Sequence, residues 1–97
     1  MRKEEVIMNE KMERMLAKMV DDFNRYSKSV ALSYAEENKE VLNWNLGRMG
    51  CVEEYMNELA RVMGVKLKYK FDVHVYGRGE KLERKLKYRA VEIVKEG

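Results

Sequence analysis

The sequence predicts an α+β fold, with two or three N-terminal helices followed by a long antiparallel β-hairpin packed on them. Three observations carry this. Apolar residues recur at three- and four-residue steps from about residue 3 to 63, the period falls to two from Val65, and Gly77-Arg78-Gly79-Glu80 supplies a turn signal soon after. The 97 residues, 45% hydrophobic and 38% charged, suit one domain over 1–97 behind a heavily charged surface, helical over about 3–63 and a hairpin over about 65–94.

The first helix is expected over residues 3 to about 26. Met8, Met12, Met15, Met19, Phe23 and Tyr26 form its stripe, and Leu16 and Val20 widen it. The methionines read as adaptable core filling, or as a surface that repacks around a partner helix. Ser27-Lys28-Ser29 reads as a helix junction, because serine competes with the helical backbone and favours caps. Ser33-Tyr34-Ala35-Glu36 has the spacing of a capping box, a second place for a helix to restart.

The second helical region runs from about 30 to 63. Leu42, Leu46, Met49, Met56, Leu59 and Met63 share one face, widened by Val41, Trp44, Val52, Tyr55 and Val62 into a broad sector expected to be buried. Gly47 and Gly50 fall inside the pattern, so the helix kinks or divides there, or another backbone comes close. Gly64 stands just past the last periodic residue, where a helix stops.

From Val65 to Tyr76, apolar and polar residues alternate without a miss, as in a half-buried strand. The return segment places Leu82, Leu86, Tyr88 and Ala90 on one face, then slips phase to Val91 and Ile93, which suggests a bulge. A helix through Leu82, Leu86, Ala90 and Ile93 competes with this strand. A short loop at 77–80 gives a register in which paired residue numbers sum to 157. It sets His74 against Glu83, Asp72 against Lys85, Phe71 against Leu86 and Tyr69 against Tyr88. In that register Lys66, Lys68, Lys70, Lys85, Lys87 and Arg89 share the outward face, Lys70 facing Lys87 and Lys68 facing Arg89.

Charge is divided unevenly. Residues 1–64 hold ten Lys/Arg and twelve Asp/Glu, while residues 65–97 hold ten Lys/Arg and five Asp/Glu. Lysines on a sheet face discourage strand-to-strand aggregation, and the same pattern would serve an electropositive docking surface.

Much chemistry has no residues to carry it. The single cysteine permits no internal disulfide, and one cysteine with one histidine cannot supply a four-ligand zinc site. All three serines lie between positions 27 and 33, and no nucleophile elbow, phosphate loop or dinucleotide fingerprint is present. His74 reads as the partner of Glu83, Cys51 as a small buried hydrophobe, and Trp44 as core or as a subunit-interface residue. Glu53 and Glu54 read as solvated helix surface. The longest apolar run is three residues, too short for a membrane span or a signal-peptide core.

These readings lead to a cytoplasmic, non-enzymatic protein-binding module, an adaptor or stoichiometric inhibitor or regulator of the kind carried by mobile genetic elements. No cofactor or metal is expected, and no membrane. The partner is an acidic protein surface or a protein–nucleic-acid complex, and leftover apolar surface favours a homodimer. Docking is assigned to Lys66, Lys68, Lys70, Tyr76, Arg78, Lys85, Lys87 and Arg89 on the hairpin, or to the methionine-lined helix face. The alternative is a nucleic-acid binder that sets the basic strand face against phosphates.

Overall fold

The computed structural model describes residues 3–76 and 84–94, with the side chains of residues 9–75 and 84–94. Two helices, α1 (Lys3–Ala35) and α2 (Lys39–Met63), precede two antiparallel strands, β1 (Lys66–Tyr76) and β2 (Arg84–Val94). From Arg84 to Val94 the return segment is a strand rather than a helix. The expected turn at 77–80 lies outside the described residues, as do Arg78 and Glu83.

The expected junction at Ser27 does not form. α1 runs through it, about 50 Å from end to end. Ser27 and Ser33 are buried at 6% and 5% exposure, and the Ser33 hydroxyl donates to the Ser29 carbonyl at 2.7 Å. A serine that bonds back to its own helix needs no break to satisfy it. The break comes at 36–38, and its bonds form a Schellman closure. Asn38 N–H donates to the Ser33 carbonyl at 2.9 Å and Glu37 N–H to the Tyr34 carbonyl at 3.2 Å. Asn38 then caps α2, its side chain accepting from Val41 N–H at 3.2 Å. The capping box expected at Ser33 is therefore replaced by a cap at Asn38.

Glu37 sits at φ 59°, in the left-handed region that glycine favours. Glu37→Gly is expected to stabilise the protein by about 1 kcal/mol, the relief of strain exceeding the added freedom of the unfolded chain. A higher urea midpoint at unchanged slope would show it. Gly64 does the same service at the end of α2 with φ 70°, and Val65 N–H closes on the Ala60 carbonyl at 2.9 Å. α2 continues through Gly47 and Gly50, and a Cβ at either would meet nothing within 4 Å. Neither the division nor the intramolecular close approach expected there occurs.

The core lies at one end of the helix pair. Leu16, Val20 and Phe23 of α1 meet Met56 and Ala60 of α2 and Val91 of β2. The centre of the buried face of α1 is thus Leu16–Val20–Phe23, not the methionines. Met12 and Met19 are half-buried at its margin, and Met15 is 52% exposed. Towards the other end the buried positions are Ser27, Ser33 and Asn45. The molecule is accordingly elongated, 58 × 29 × 17 Å, with a radius of gyration of 16.4 Å against about 13 Å for a compact domain of this length.

Strand pairing differs from the expected register. Lys66 faces Val94 and Tyr76 faces Arg84 without interruption, so paired numbers sum to 160. The three-residue shift is odd and exchanges the faces of one strand relative to the other. It sets Leu67 against Ile93 and Tyr69 against Val91, bringing the apolar ends of both strands onto the helix core. A sum of 157 would leave Val91 and Ile93 among the outward lysines. Burial of Val91, worth about 1.5–3 kcal/mol, with a smaller share from the partly buried Ile93, outweighs cross-strand preferences of a few tenths. No bulge interrupts the pairing at Ala90–Val91. Both residues are buried, at consecutive positions of the continuous pairing.

Candidate functional site

The side chain of Asn24 hydrogen-bonds α1 to the backbone of β2. Asn24 Nδ2 donates to the Val91 carbonyl at 3.0 Å, and Val91 N–H donates to Asn24 Oδ1 at 2.7 Å. The amide of Asn24 thus satisfies the outer edge of the strand as a neighbouring strand would. On the α2 side, the Tyr69 hydroxyl donates to Glu53 Oε2 at 2.8 Å, and Asn57 Nδ2 donates to the Tyr69 oxygen at 3.0 Å. Arg89 pairs with the same Glu53 oxygen at 3.2 Å, and its guanidinium lies 5.2 Å from the Tyr69 ring centre and 5.7 Å from that of Phe23. Phe23 and Tyr69 meet edge to face at 6.0 Å. Glu53, expected to be solvated helix surface, is instead the anchor of the hairpin. Burial pushes the Tyr69 hydroxyl above its usual range, the bond from Asn57 opposing and the Glu53 carboxylate adding to it.

The six cations expected on one outward face are divided by the register. Lys66, Lys68 and Lys70 share a face with Asp72, His74 and Glu92, while Lys85, Lys87 and Arg89 share the other with Phe71, Val73 and Val75. Lys70 faces Ala90 instead of Lys87, Lys68 faces Glu92 instead of Arg89, and Phe71 faces Arg89 instead of Leu86. Lys70 is paired with Glu92 at 3.2 Å, so the expected like-charge repulsion is replaced by an attraction. His74 lies opposite Leu86 rather than Glu83, and Asp72 opposite Tyr88 rather than Lys85. The Tyr88 hydroxyl donates to Asp72 at 3.4 Å, and burial, with the Asp72 charge, raises its pKa. Tyr76 holds the position opposite Arg84.

Beyond Tyr69 the hairpin extends past the core. Phe71, Val73 and Val75 are 67%, 53% and 50% exposed, although the alternation placed them in the covered face. Lys87 Nζ lies 4.8 Å from the Phe71 ring centre. This distal face is an apolar strand stripe beside exposed lysines, Lys85 and Lys87 across from it and Arg89 withdrawn into the anchor. Sequence reasoning missed the three apolar residues as surface. The signal was strand length, since eleven paired residues span about 36 Å, more than a core at one end of the helices covers.

On the helices, Cys51 is exposed rather than buried. Val41, Trp44, Leu46, Tyr55 and Val62, expected in the buried sector of α2, are exposed at 43%, 57%, 42%, 66% and 62%. Packing against α1 covers a single stripe of α2, here Asn45, Met49, Val52, Met56 and Ala60, and leaves the exposed apolar residues in water.

Among the described residues no group of three His, Cys, Asp or Glu is placed to hold a metal ion, and no helix is long and apolar enough to cross a membrane. No family model, no curated protein and no solved structure matches this chain.

Proposed function

We propose that this chain is a small non-enzymatic protein-binding module of the cytoplasm, an adaptor or stoichiometric inhibitor or regulator. In this reading it works as a homodimer and docks an acidic, partly apolar surface of its partner on the distal hairpin. The observation that carries the reading is the exposed stripe Phe71, Val73, Val75 beside Lys85 and Lys87. Apolar strand residues left in water by their own fold supply affinity when a partner covers them, and adjacent cations steer an acidic partner into place. The nucleic-acid alternative rested on six cations sharing one face. With that face divided and Lys70 neutralised by Glu92, the phosphate-binding arrangement is weaker than the amphipathic one.

The test is capture from native lysate by immobilised protein, with and without nuclease, for wild type and for a Phe71→Asp/Lys85→Glu/Lys87→Glu variant. All three side chains are exposed, so the variant is expected to fold. Nuclease-resistant capture by wild type alone is the expected result. Capture abolished by nuclease would transfer the function to nucleic acid, and equal capture by the variant would remove the hairpin from the site.

A further inference from the structure

The helix pair has two broad sides, and the hairpin covers only one. Asn24 of α1 and Glu53 and Asn57 of α2 point to the hairpin. On the opposite side of α2, Trp44, Arg48, Cys51, Tyr55, Glu58 and Val62 recur at alternating four- and three-residue steps, the spacing of a helix–helix seam. All six are exposed. α1 contributes to the same side. Tyr26 borders a surface depression with Trp44, Arg48 and Cys51, and Met12 borders another with Val62. The fold is therefore half a sandwich, with a strand layer above the helices and a second apolar face bare below.

We propose that a second copy of this chain covers that face, the two copies packing back to back with α2 antiparallel to α2 of the partner. The spacing of the seam is palindromic. Read from Trp44 or backwards from Val62, the steps are four, three, four, three and four. A two-fold axis beside position 53 therefore superposes the seam on itself, as a self-complementary interface requires. It sets Trp44 against the partner's Val62, Cys51 against the partner's Tyr55, and Arg48 against the partner's Glu58.

The charges select this alignment. Sliding the helices so that Trp44 meets the partner's Tyr55 leaves Arg48 against the partner's Cys51 and Glu58 against the partner's Val41, each charge facing an uncharged side chain. In the chosen alignment the symmetry creates two ion pairs across the seam. Both groups are at hand: the Arg48 guanidinium lies 4.1 Å from the Trp44 ring centre on the surface, and Glu58 is held beside Arg61. The size also suits. Two helices side by side, about 37 Å by about 20 Å, present about 700 Å² per copy, close to the roughly 800 Å² a stable partner buries.

This assignment rests on the homodimer named above and is independent of the docking hairpin. Light scattering and sedimentation on the intact chain test it, with circular dichroism to confirm folding. Wild type is expected to be a dimer. Arg48→Glu and Glu58→Arg, each setting like charges against one another twice, are expected to weaken it about a hundredfold, and the doubly exchanged Arg48→Glu/Glu58→Arg variant to restore it. A wild-type monomer at high micromolar concentration would overturn the homodimer and this face together. A wild-type dimer indifferent to both single reversals, or not restored by the exchange, would overturn this face alone.

Discussion

Phe23→Ala is expected to destabilise the protein by about 3–5 kcal/mol, the cost of removing a fully enclosed aromatic ring and leaving a cavity. Phe23 has 0% exposure and belongs to the cluster of Leu16, Val20, Met56, Ala60 and Val91. It touches all the packed layers at once, since Tyr69 meets its ring edge to face and the Arg89 guanidinium lies over it. Among the described residues six buried hydrophobic side chains form this cluster, so few neighbours can move in to fill the space. A domain of this size holds about 5–15 kcal/mol in all, and the substitution removes a large part of it. Urea denaturation at unchanged slope measures the loss. A cost under about 1 kcal/mol would mean that Phe23 does not sit between helices and hairpin.

Asn24→Ala is expected to cost about 2 kcal/mol through two backbone groups, because it strips the Val91 N–H and carbonyl of the bonds that now satisfy them. Asn24→Asp separates the two halves of that interaction. It keeps an acceptor for the Val91 N–H but loses the donor to the carbonyl and sets a negative charge beside it, so it should not rescue the variant. Both substitutions should accelerate amide exchange at Val91 more than at Met56, whose helical bond is untouched. An Asn24→Ala protein as stable as wild type, with Val91 equally protected, would show that the edge of β2 needs no closure from α1.

The two predictions differ in how far the sequence announces them. Phe23 lies on the periodic face of the first helix and reads as core from its spacing alone. Asn24 lies on that helix's polar side, and nothing local marks it as the closure for a strand edge 67 positions later. Glu53 is similar: a glutamate on a charged helix reads as solvated until Tyr69 and Arg89 are folded against it. Of the candidate site, Lys85 and Lys87 were legible as exposed cations, but their apolar companions Phe71, Val73 and Val75 read as core. Alternation tells which residues share a face and not how much of that face another element will cover.

Backbone sterics and short-range periodicity made several secondary elements legible from the residues alone. These are the helical stripes, the stop at Gly64 and the change of period at Val65, whereas the return segment through Tyr88 and Ile93 fitted a strand and a helix alike. Long-range packing carries α1 through its serines, pairs the strands to a sum of 160 rather than 157, and settles which apolar faces are left bare. The physical reason is one of scale and range. Periods and caps are fixed within a turn or two of chain, whereas register and cover are settled by side chains far apart in sequence. The cross-strand pairs that favoured the other register offer a few tenths of a kcal/mol each, and moving Val91 into the core with Ile93 packed against it outweighs them.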